Sequence, residues 1–179
     1  LGYANDKINN SVKEAIDKGS TSTLNSFEEF ELAEKLTNIH RGMDSVRFSK
    51  TGGEACAIAI RIARAYTNRS VIVASGYFGW HDWYLASNLK KGSLDKLLLP
   101  GLEPKGVPKE LAGTCVTVDY GNIEQLKQVF KKYQNKIAAF IVEPQRNRKM
   151  NSEFLSTARR LTKKNNSALI YCEVSSGFR

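Results

Sequence analysis

The chain has 179 residues, 41% apolar and 25% charged, with a formal net charge of +9. That length can bury a sizeable core, and no apolar run approaches the roughly 18–20 residues of a membrane-spanning helix. The cations are scattered over Lys90-Lys91, Lys131-Lys132, Arg146 to Lys149, Arg159-Arg160 and Lys163-Lys164, without interleaved aromatics, so they read as solvated faces rather than a nucleic-acid surface. Cys56, Cys115 and Cys172 lie far apart, and with only His40 and His81 no metal-ligand spacing is present. Reduced thiols in a cytoplasmic protein are the expectation. The first residues, LGYANDKINN, lack the basic and apolar regions of a signal peptide.

In chain order, residues 6–18 and 27–39 carry helical periodicity, with GSTSTLNS as the loop between them. SVRFS (45–49) reads as a short strand. SKTGGEA (49–55) is a turn feeding a helix over about 54–67, and SVIVAS (70–75) is a strand. Residues 76–113 form a long Gly- and Pro-rich excursion, a length that commonly carries function or crosses a subunit boundary. A strand at 114–120, a helix at 122–134, a buried strand at 137–144 stopped by Pro144, a helix at 152–165 and a strand at 167–174 follow. Near-continuous apolar strands alternating with helices predict a three-layer α/β/α sandwich around a mostly parallel sheet. In such sheets ligands collect at the carboxyl ends of the strands.

Four features fall at those ends. Gly52 and Gly53 open a helix after Thr51, where missing side chains and free N–H groups suit an anion, although the same pair also fits a plain tight turn. SGYFGWHDWY (75–84) offers Tyr77 as an aromatic that can stack on a flat ring, while Phe78, Trp80 and Trp83 read as core or interface aromatics. His81-Asp82 could be a proton-transfer pair or merely structural. Glu143 closes one buried strand, and Cys172-Glu173 closes the next. An anion cradle, an aromatic and two polar strand ends suit a planar phosphorylated cofactor.

The stretches VRFSKTGGEACAIAIRIARAYTNR, GYFGWHDWYLASNL, LPGLEPKGVP, IAAFIVEP and CEVSSGFR, in that order, resemble the class III (fold type I) pyridoxal-phosphate aminotransferases, in the branch that looks like glutamate-1-semialdehyde 2,1-aminomutase. The resemblance implies residues 1–44 as a helical lead-in and 45–179 as the central part of the large, cofactor-binding domain. It implies pyridoxal 5'-phosphate as cofactor and a small amino or carbonyl substrate. It also implies a homodimer when full length, with neither nucleic acid nor membrane as partner. Thr51, Gly52 and Gly53 would form the phosphate cup, with Tyr77 and Val174 on opposite ring faces and Glu143 near the cofactor. Cys172 falls where the family has the aspartate that pairs with the ring nitrogen, and Phe78 replaces a histidine. The lysine that anchors the cofactor in the family lies beyond Arg179, so a chain ending there is expected to lack that anchor. A buried neutral thiol at 172 is expected to weaken the chemistry, because burial disfavours the thiolate. The implied activity is amino-group transfer or 2,1-migration; the alternative is a non-catalytic remnant that keeps the fold for binding or assembly.

Overall fold

The structure, a computed structural model, describes residues 3–21, 23–90 and 103–178. The chain forms two compact units, Leu1–Phe48 and Ser49–Arg179. Part of the 76–113 excursion, residues 91–102, lies outside the described residues.

In the first unit, α1 (Asp6–Lys18) begins at Asn5, whose side chain accepts the Ile8 N–H at 3.3 Å. The second helix, α2 (Phe27–Ile39), begins at Ser26, whose hydroxyl accepts the Glu29 N–H at 3.4 Å. Both caps satisfy donors that a helix start leaves unpaired. Neither helix has a buried residue, and Ile8, Val12 and Ile16 form an exposed apolar row along α1. The strand expected at 45–49 does not form. Its residues have β propensity, but none of the four described strands pairs with them, and without a ladder propensity alone does not make a strand.

The second unit is a parallel sheet ordered β2-β1-β3-β4, from β1 (Val71–Ser75), β2 (Cys115–Thr117), β3 (Ile137–Val142) and β4 (Ala168–Tyr171). Its helices are α3 (Gly52–Thr67), the single turn α4 (Asp82–Leu85), α5 (Ile123–Lys132) and α6 (Ser152–Asn165), with 3-10 turns at Ala86–Leu89 and Lys109–Leu111. Alternation along the strands separates two cores. Ile72, Ala74 and Ile141 pack with Cys56, Ile60 and Ala63 of α3 on one face. Val71, Val73, Phe140 and Val142 pack with Leu126 and Phe130 of α5 and Phe154 and Ala158 of α6 on the other. This is the expected three-layer α/β/α sandwich. A register shift, with Val71 opposite Ile137 but Ile72 opposite Ala139, places Ala138 in a bulge. Ala138 and Ala139 consequently both belong to the α3-side core.

The strand ends are shorter than expected: β2 spans three residues and β4 four. Both are outer strands of the described sheet, and β4 is only half-buried with Tyr171 exposed. By contrast β1 and β3, each flanked on both sides, are buried throughout. All four strands point their carboxyl ends toward the α3 amino terminus and the 76–81 turn, which places the site.

Candidate functional site

The α3 amino terminus is held by a reciprocal cap. Thr51 Oγ1 accepts the Glu54 N–H at 3.2 Å, and Glu54 Oε2 accepts the N–H groups of Lys50 and Thr51 at 2.9 and 3.1 Å. Among the described residues this leaves the N–H groups of Gly52 and Gly53 without an internal acceptor, at the positive end of a 16-residue helix. Both glycines also sit in close contact with neighbouring side chains. A Cβ on Gly52 would lie 2.9 Å from Val174 Cγ2, and one on Gly53 would lie 3.0 Å from His81 Nε2. Beyond a tight turn, the segment presents two backbone donors without an internal acceptor among the described residues.

Glu143 is only 2% exposed at the end of β3. Its Oε2 accepts the Tyr77 N–H at 2.9 Å, and its Oε1 meets Arg146 Nη1 at 3.3 Å. A buried carboxylate is tolerated when its oxygens are matched in this way. The turn that brings Tyr77 in requires Gly76, at φ +136°, because a Cβ there would lie 2.7 Å from Glu143 Oε2. The Arg146 guanidinium lies 5.3 Å from the Tyr77 ring centroid. Tyr84 meets Tyr77 edge-on and donates its hydroxyl to the Gly76 carbonyl at 2.6 Å. Burial pushes the Tyr84 phenol well above its ordinary range, which keeps it a neutral donor.

Cys172 follows β4 and is 7% exposed. The thiol of Cys56, from α3, donates a hydrogen bond to it, and this contact, assisted by the Val174 N–H, brings Cys172 below the ordinary thiol range despite its burial. The same hydrogen bond, together with burial, raises Cys56. The Cys56 contact thus opposes burial, which by itself would keep Cys172 a neutral thiol. Arg146 adds to the lowering, and Glu143 opposes it.

Thr51, Gly52, Gly53, Tyr77, Glu143, Cys172 and Val174, the seven residues that the resemblance places around the cofactor, all line one cavity of ≈ 390 Å³. The cavity wall also holds Cys56, His81 and Arg146. The His81 ring lies against Gly53, and Asp82 begins α4. Phe78 and Trp83 are core aromatics, whereas Trp80 is 75% exposed. No lysine is found among the described residues lining the cavity. Sequence reading missed Arg146, whose signal was a cation two residues after Pro144, and Cys56, which carried no signal beyond being a second thiol. A neighbouring cavity of ≈ 680 Å³ shares Thr51, Trp80 and His81 and adds Arg61 and Arg64.

The whole chain, residues 1–179, matches the family model described as aminotransferase class-III. It is 34% identical to the glutamate-1-semialdehyde 2,1-aminomutase of Hydrogenobaculum sp. and 35% identical to that of Thermoplasma volcanium, covering 100% of this chain and 43% of each relative. It therefore spans well under half the length of these curated relatives. Among solved structures, a transaminase with PLP bound superposes with a TM-score of 0.84 at 25% identity, covering 98% of this chain and 42% of that one. An omega-transaminase from Sphaerobacter thermophilus superposes at 0.81 with 26% identity, covering 95% and 41%.

Proposed function

Because this chain belongs to the class-III aminotransferases, we propose that it is the central part of the large domain of a pyridoxal-phosphate enzyme that moves an amino group. The reaction is transfer to a carbonyl acceptor or 2,1-migration on a substrate resembling glutamate-1-semialdehyde. One observation carries the reading: an anion cradle, an aromatic ring, a buried carboxylate and an ionisable sulfur surround a single cavity.

The residues present fit the cofactor. Gly52 and Gly53 would donate their N–H groups to its phosphate, and the Thr51 hydroxyl, already an acceptor for Glu54, retains its own hydrogen to donate. Tyr77 and the half-exposed to exposed Val174 would bound the ring on opposite faces. Glu143 acts by position, since its two oxygens fix the Tyr77 turn and Arg146. Cys172 would meet the ring nitrogen, and its lowered pKa would let a thiolate supply the negative charge that a carboxylate supplies in the family pattern. When bound, the cofactor supplies an electron sink for the carbanion at the substrate carbon.

The test is a visible-absorption titration with pyridoxal phosphate, alongside Gly53→Val. Saturable binding that the variant abolishes supports the reading; equal binding by both proteins overturns it. The presence of Cys172 where the family carries aspartate favours a second reading, a non-catalytic protein retaining the fold. Restoring Cys172→Asp in the full-length protein separates the two. A rise in amino-group transfer supports the enzyme, and no gain supports the remnant. A homodimer is consistent with exposed Trp80 and with unpaired buried donors, Arg64 Nη2 and Trp83 Nε1, on residues that line the larger cavity. Cytoplasmic location rests on the free thiols alone, and among the described residues no helix is long and apolar enough to cross a membrane.

A further inference from the structure

We propose that Cys56 and Cys172 form an oxidation-responsive dithiol that hydrogen peroxide, or another small hydroperoxide, converts to an intramolecular disulfide within the cavity wall. The proposal concerns the protein's own sulfurs and does not rest on cofactor binding.

The chain has three cysteines, and two of them meet. Cys56 comes from the second turn of α3 and Cys172 from the exit of β4, yet they share a core cluster, a hydrogen bond and one cavity wall. The two backbone segments press together beside them, since a Cβ on Gly52 would lie 2.9 Å from Val174 Cγ2. Both sulfurs are shielded from bulk solvent but line a cavity of ≈ 390 Å³, far larger than a peroxide molecule.

The sulfurs have unequal roles. Cys172 accepts hydrogen bonds from the Cys56 thiol and the Val174 N–H, and Arg146 favours its ionised form while Glu143 disfavours it. It is the sulfur prepared to attack. Its attack on one peroxide oxygen breaks the O–O bond, releases hydroxide and leaves a sulfenic acid on Cys172. The Cys56 sulfur then attacks that sulfur, the S–O bond breaks, and the oxygen leaves as water with the Cys56 proton. In sum, two thiols and one hydrogen peroxide give one disulfide and two waters. Cys115 supplies an internal control, being buried on β2 with its thiol pushed up by desolvation. The disulfide would remove the ionised sulfur from the cavity and tie α3 to the β4 exit.

The experiment treats the protein with a small excess of hydrogen peroxide, counts thiols after denaturation, and maps non-reduced peptides by mass spectrometry. Titratable thiols should fall from three to one, with a Cys56–Cys172 crosslinked peptide that dithiothreitol reverses. Cys115→Ser should show the same crosslink, and Cys56→Ser should stop at a dimedone-trapped sulfenic acid on Cys172. Three thiols surviving, Cys115 oxidised as fast as Cys172, or Cys172 over-oxidised without linkage would each overturn the proposal.

Discussion

One end of the cavity is built from backbone: Thr51 caps a helix, and Gly52 and Gly53 expose N–H groups that carry no charge and do not titrate. The other end is built from two hydrogen-bonded sulfurs, of which Cys172 is the more easily ionised. The cradle is set by geometry and responds to substitution through shape. The thiol end is set by ionisation and responds to pH and oxidant.

The largest expected effect lies in the turn that joins the two ends. Gly76→Ala must hold a Cβ at φ +136°, with Glu143 Oε2 only 2.7 Å away. Strain and the displaced carboxylate together should cost about 3 kcal/mol of folding stability in urea titrations. A loss below about 1 kcal/mol would show that the Tyr77 turn can relax, and the ends would then be independent. Next comes Cys172→Asp, which adds a second carboxylate beside Glu143. Burial and like charge raise the new carboxyl above its unfolded value, so its cost is absent in acid and grows as pH rises through the unfolded pKa. The variant without cofactor should lose about 2 kcal/mol at pH 8 and much less at pH 4. A loss independent of pH would mean that shape rather than charge governs this end as well.

The sequence displayed the sheet well because its signals were local. Runs such as Ile137–Val142 and the apolar face of α5 are bounded by turn residues, and their limits fall within a few positions of the observed ones. The cradle was visible for the same reason, since TGGE is a cap and a helix start written in consecutive residues. Residues 45–49 were misread because a strand requires a partner that propensity does not contain. Cys172 was only partly legible for a related reason. Its burial was inferable from its strand, but the lowering agent, Cys56, sits at the opposite end of the fold order and becomes its neighbour only when α3 covers the sheet. Arg146 was likewise invisible as a site residue until Glu143 and Tyr77 placed it.

Two smaller effects separate the ends further. Removing the thiol donor with Cys56→Ala leaves Cys172 buried but without the hydrogen bond that favours its ionised form. One charge-assisted hydrogen bond is worth about 1.5–3 kcal/mol, so the midpoint of Cys172 alkylation by iodoacetamide should move up by about one pH unit or more. An unchanged midpoint would transfer the lowering to the Val174 N–H and Arg146. At the cradle, Thr51→Ala removes the acceptor for the Glu54 N–H while leaving the Glu54 carboxylate bonded to the Lys50 and Thr51 N–H groups. Only half of the reciprocal cap is lost, so the stability loss should be about 1 kcal/mol, with Thr51→Ser near the parent. The cradle donors belong to Gly52 and Gly53, which this change leaves in place. Inorganic phosphate or pyridoxal phosphate binding should accordingly weaken less in Thr51→Ala than in Gly53→Val. Equal weakening in the two variants would make the hydroxyl itself a ligand contact of the first rank and shift the cradle from pure backbone to a side-chain site.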